Sequence, residues 1–209
     1  MRCCSSSLPG AGSRRRPSYG ATLSIFPAKR KALGRALPTC VYIPRRLAEE
    51  LERRGIDVES YAVDLLVRSL GLDPRVGSEA HLELALRYLE EGRALVDRDP
   101  VRASEKLYKA SEEVVRALAI HFNLGDILRG VSERGRWSAG DLEKAAIRVS
   151  DRLGEWFRYS WDSAWALHVW GFHEAKLDSE SVRRRVADVE RMVLEARSAV
   201  HGGAPAQTS

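Results

Sequence analysis

"DPVRASEKLYKASEEVVRALAIHFNL", residues 99–124, decides the architecture. Asp99-Pro100 is a helix-opening pair: the carboxylate caps free amides, and proline at the first helical position forfeits only a hydrogen bond that position lacks anyway. Beyond it, Ala103, Leu107, Ala110, Val114, Ala117 and His121 recur at alternating spacings of four and three, which places them on one face of a long helix.

The same rhythm spreads outward. Leu82, Leu86 and Leu89 mark a helix starting at Ser78 and running to about Val96; Ser138 caps another that bears Leu142, Ala145 and Val149. An aromatic helix follows over about 154–172. Asp178 caps the last, with Val182, Val186, Val189, Val193, Ala196 and Val200 in step. "LGDILRGVSERGRWSAGD" reads as a glycine-broken connection. Upstream, a β-prone run over Thr39–Ile43 ends at Pro44; Leu47 and Leu51 then mark a helix that stops at Gly55. Asp57 caps a second helix, closed by Gly71 and Pro74. The expected fold is all-α: an antiparallel helical bundle over 78–200 with a small strand/helix-helix appendage over 39–75. Residues 1–38 and 201–209 read as a disordered basic arm and a disordered tail.

Hydrophobic residues make up 44% of the 209, enough for a real core. No apolar run approaches the roughly 18 residues of a membrane span, so no membrane partner is expected. Of the 34 Lys and Arg, ten lie in residues 1–48, which hold no acid; the 24 that remain face 29 Asp and Glu. The positive balance therefore belongs to the arm, and overall charge is no argument for a nucleic-acid surface. The arm's Arg- and Ser-rich, acid-free composition also resembles a transit peptide. Cys3, Cys4 and Cys40 are the only cysteines. Beyond Val41 there is neither a thiolate nucleophile nor a cysteine metal site, which fits a reducing, cytoplasmic address.

The stretch "AWALHVWGFHEAKLD", residues 164–178, gathers chemistry. On an α-helix Trp161, Trp165, His168 and Phe172 share one stripe, with Trp156, Ser163, Leu167 and Trp170 nearly opposite. Rings on both sides indicate a helix wrapped by neighbours, with Ser160, Asp162 and Ser163 at hand for buried indole N–H groups. A zinc pair on an α-helix wants histidines four apart. His168 and His173 are five apart, about 140° around an α-helix, so no metal is expected. His168, His173 and Glu174 at a helix end are candidate ligand- or partner-binding groups, and Lys106, with Lys109 on the same helix, is a further candidate whose direction periodicity does not fix. No G-x-G-x-x-G, Walker A, G-x-S-x-G or H-E-x-x-H motif is present.

"ASEKLYKASEEVVRALAIHFNL", residues 103–124, resembles the second helix of HEPN domains, where small residues permit close helix approach. Together with "CVYIPRRLAEELERRGIDVESY", "GLDP" and "LHVWGFHEAKLD", it resembles the PaREP family of thermophilic crenarchaea, in the first of its numbered groups, over about residues 40–200. The resemblance implies a HEPN-like bundle, often a homodimer; no cofactor is expected. The wider superfamily includes ribonucleases, toxins and partners of small nucleotidyltransferases. Its catalytic members carry R-x(4–6)-H, acting on RNA. Arg116 and His121 fit that spacing, but in the packing helix; Arg158 and His168, in the later segment, are separated by nine residues. The expected function is a non-catalytic dimerising module binding a protein partner or nucleotide. The alternatives are a metal-independent ribonuclease or toxin, and a DNA-binding regulator acting through residues 39–72.

The order strand, helix, glycine turn, helix over 39–72 is also that of ribbon-helix-helix DNA-binding proteins. Neither strand face offers Arg, Lys, Asn or Gln to a base edge. Arg45, Arg46, Arg53 and Arg54 could reach phosphates.

Overall fold

The computed structural model describes residues 41–202. Every element among them is helical: α1 Arg45–Arg53, α2 Val58–Ser69, α3 Pro74–Leu95, α4 Pro100–His121, α5 Gly125–Arg134, α6 Ala139–Leu153, α7 Trp156–Ala166, a π-helical segment Leu167–His173, and α8 Ser179–His201. All belong to the unit that starts at Ile43. The arm over 1–38 and the tail from 203 lie outside the described residues, whereas His201 still belongs to α8.

Local chemistry explains the boundaries. Asp57, Asp99 and Asp178 each accept a hydrogen bond from a first-turn amide, at 3.0, 3.0 and 2.8 Å. Ser138 and Asp141 form a reciprocal capping box. Three expectations need correction. Val41–Ile43, the described part of the expected strand, forms no strand. The third helix starts at Pro74 rather than Ser78, because Asp73 caps it through the Arg75 amide at 2.8 Å; Pro74 opens a helix instead of closing one. The glycine-broken connection contains α5, whose Gly125 and Gly130 did not prevent a helix that buries Ile127 and Val131.

Helices α3 and α4 form an antiparallel hairpin. Ser78 Oγ donates to the Ala117 carbonyl at one end (2.9 Å), and Gly92 meets Leu107 at the other. A Cβ on Gly92 would lie 2.8 Å from Leu107 Cγ, so glycine sets this separation. The small residues Ala103, Ser104, Ala110, Ser111, Ala117 and Ala119 are buried along α4, and α3, α6, α7, α8 and the π segment all pack on it. Thus α4 is the central helix, buried beyond the single stripe its periodicity suggests. Leu107, Val114, Leu118, Phe157, Trp161, Leu167 and Met192 complete the core, each contributing roughly 1.5–3 kcal/mol by leaving water.

Candidate functional site

A cleft of about 800 Å³ opens where the α1–α2 turn faces α4, the start of α6 and the π segment. The turn is fixed from three directions. Gly55 takes the left-handed conformation (φ 64°). Asp57 accepts from the Ser60 amide and from the Tyr88 hydroxyl (3.2 Å), and it pairs with Lys109 Nζ at 2.8 Å. Burial would raise the Asp57 carboxyl, but Lys109 and Ser60 outweigh it and hold the group at about 2. Glu59 accepts from Tyr88 (2.6 Å) and pairs with Arg87.

The opposite wall is made of rings. Tyr108 stacks on His168 with ring centres 4.1 Å apart and meets Trp165 edge-on at 6.0 Å. Phe172 continues the row beyond His168 at 6.5 Å. Trp165, at the rim, is 39% exposed. Lys106, paired with Glu91 at 2.7 Å, together with Lys109, Glu105, Glu112 and Arg116 supplies charge. Burial pushes the Glu112 carboxyl up to about 7; the pull of Arg116 opposes this, and Glu113 and Asp57 add to it. Burial and Glu112 also raise the Tyr108 hydroxyl. Behind the cleft, Glu113 joins buried groups: His81 Nδ1 at 2.6 Å, Arg116 Nη1 at 3.2 Å and the Ser60 hydroxyl. His81 Nε2 lies 3.3 Å from Asp64. Arg116 Nε is buried without a hydrogen-bond partner among the described residues.

His168 and His173 come together because the helix changes type. In a π-helix the backbone bonds run from i to i+5, so one turn takes His168 to His173. Their Nε2 atoms are 3.2 Å apart. The α-helical angle of 140° does not apply here. Gly171 sits where the segment crosses α4, and a Cβ there would collide with Ser104. Two further bonds, Glu174 N to Val169 O (2.9 Å) and Lys176 N to Trp170 O (2.8 Å), with Ala175 at φ 50°, end the segment. Burial and the neighbouring His173 lower His168.

The remaining candidates disperse. Glu174 is exposed and pairs with Lys176 at 2.9 Å, outside the cleft lining. His121 packs against Phe122 and is lowered by burial, Arg152 and Arg75; the charges around Arg116 are Glu113, Glu112, Asp64 and Asp57. The two therefore occupy different surroundings. Arg158 covers the Tyr159 ring and faces Asp162, away from the cleft that His168 lines. Among the indoles Trp161 is buried, whereas Trp165 and Trp170 are exposed. Trp161 Nε1 donates to Glu143 (2.7 Å) and Trp156 Nε1 to the Leu153 carbonyl (2.7 Å), not to the nearby serines. Ser163 instead donates to Asp188. Tyr88, Tyr108, Glu112 and the His81–Glu113 pair escaped the sequence reading. Glu113, next to Glu112 in an apolar run, was the available signal.

A sequence model of the archaeal PaREP1/PaREP8 family matches residues 80–193, from α3 to α8. A crystal structure of a Sulfolobus solfataricus protein is 36% identical; the match covers 56% of this chain and 96% of that one, with a TM-score of 0.52. A solution structure of the same structural-genomics target, the Orf c02003 protein, is 37% identical over 57% of this chain and 93% of that one, with a TM-score of 0.51. No curated protein matches the chain. The matched region supplies the ring wall and the floor of the cleft, whereas Asp57 and Glu59 precede it.

Proposed function

The chain belongs to the archaeal PaREP1/PaREP8 family, and from that premise we propose that it is a binding module whose cleft takes a nucleoside-sized molecule by its flat ring. The observation that carries this reading is the wall of Tyr108, Trp165, His168 and Phe172, which three helical segments present to one cleft. Its volume falls in the range of about 300–1,000 Å³ of small-molecule sites. Flat faces at the rim suit stacking, worth about 1–3 kcal/mol per base.

Charge narrows the ligand. Lys106, Lys109 and Arg116 are each paired with a carboxylate, and Asp57, Glu59, Glu105 and Glu112 line the same space. A polyphosphate would find no free cradle there. The base and sugar are therefore the recognised parts. The finer HEPN-like placement rests on the resemblance of residues 103–124, most of which lie in the central helix.

The test is calorimetry and ligand-observed NMR with the nucleosides and their 5′-monophosphates. At least one nucleoside binds, its monophosphate no tighter, and Trp165→Ala weakens it about tenfold or more. Absence of binding by every nucleoside and nucleotide at about millimolar concentration removes the reading.

A further inference from the structure

The π segment does more than shape the cleft wall. It sets two imidazole edges against each other at the mouth. His168 is oriented by stacking on Tyr108, with Trp165 at 5.3 Å on its flank, while His173 is exposed. The two rings are nearly perpendicular, at 78°, with centres 4.4 Å apart and Nε2 atoms 3.2 Å apart. Ring centres this close are nearer than two imidazoles bonded end to end along a common axis would be, so at most one Nε2 points straight at the other.

Metal chemistry gives that separation a meaning. Zinc–imidazole bonds are about 2.0–2.1 Å long, so two nitrogens on one ion sit about 2.9 Å apart at a right angle and about 3.4 Å apart at the tetrahedral angle. The observed 3.2 Å lies between. We propose that His168 and His173 chelate one divalent late transition-metal ion through their Nε2 atoms at the mouth of the cleft. Imidazole pairs favour zinc, nickel, cobalt or copper over magnesium or calcium, which prefer oxygen. Among the described residues no group of three or more His, Cys, Asp or Glu is arranged to hold an ion. The remaining positions are therefore filled by water or by a ligand's donor atoms, with Glu105, whose charge acts on His168, as the neighbouring carboxylate. Such a site is open, with exchangeable positions, and differs from a closed structural zinc site. It stands whether or not the cleft takes a nucleoside, because the metal alone is the probe.

The experiment uses the full chain with Cys3, Cys4 and Cys40 alkylated, since thiolates compete for the same ions. Zinc and nickel are titrated calorimetrically, and cobalt by its visible ligand-field absorption. One equivalent binds, and His173→Asn and His168→Asn each weaken binding on the order of tenfold to hundredfold, as expected when a chelate becomes a single contact. The cobalt spectrum changes in both variants. His173 is exposed, so its replacement leaves the fold intact, as circular dichroism checks. Equal affinity in the wild-type and doubly substituted proteins, or no binding by the wild type, overturns the proposal.

Discussion

Two junctions in this molecule are built from opposite chemistries. Where α7 and α8 pack on α4, the contact is apolar: Leu107, Val114, Leu118, Trp161, Val189 and Met192 are buried. Where α2 packs on α3, the buried groups are Ser60 and His81 with Glu113 and Arg116 of α4, and Asp64 is partly covered, while Leu65 and Leu66 on α2 and Leu70 at its end face outward. Apolar burial supplies stability without directional demand. Buried ion pairs offset their own desolvation only when complete, so they contribute more to a defined arrangement than to net stability. The cleft lies beside the second junction, and its Asp57–Glu59 wall is held by that directional chemistry.

Removing one partner tests the difference most severely. Glu113→Ala leaves the His81 ring, the Arg116 guanidinium and the Ser60 hydroxyl without their common acceptor, and is expected to cost about 3–5 kcal/mol. That matches the roughly 3–5 kcal/mol expected for Trp161→Ala in the apolar junction. Urea unfolding followed by circular dichroism measures both. Replacing Glu113, His81 and Arg116 together by apolar residues of similar size should cost less than Glu113→Ala alone. A triple variant less stable than the single one would break the distinction.

Acidity separates the junctions next, because only one of them titrates. Burial would lower His81, but Asp64 and Glu113 outweigh it and raise it from 6.5 to about 9. A raised histidine contributes stability in full below its unfolded value of 6.5, and that contribution is lost as pH climbs through 9. The loss is on the order of 3 kcal/mol. Glu112, raised from 4.5 to about 7, acts in the same direction: its neutral form is favoured in the fold, and that contribution declines between about pH 4.5 and 7. Asp57, held at about 2, acts oppositely and loses its contribution only as pH falls below 3.8. Stability is expected to be greatest at mildly acidic pH. Thermal unfolding from pH 5 to 9.5 checks this, and His81→Gln should flatten the alkaline part of the profile.

The apolar junction was largely legible in the sequence, and the ionic one was not. Spacings of four and three announced the buried positions of α4 and α8, and Asp99-Pro100, Ser138 and Asp178 announced helix starts, because these signals are local. His81 sits one residue before the apolar Leu82 and reads as an edge position; its burial depends on Glu113, thirty-two residues away. Asp57 was read correctly as a cap, but its ties to Tyr88 and Lys109 are tertiary. The pairing of His168 with His173 escaped for a different reason: periodicity assumes one helix type, whereas Gly171 against Ser104 marks where the chain departs from it.

That close approach gives an intermediate effect. Gly171→Ala drives a methyl group into Ser104, and because the neighbour is a packed helix, the π segment must move. Overpacking of this kind costs about 1–3 kcal/mol, and the displaced imidazoles should show altered ring resonances by NMR. Trp170 marks the other limit. It follows the same π register and is as large as Trp161, but it is 57% exposed against 1%. Trp170→Ala should therefore shift stability by no more than about 0.5 kcal/mol, measured by the same urea unfolding. A loss of several kcal/mol would show that a large exposed ring in this segment is as tightly held as one in the core, and that burial is not what sets the apolar junction apart.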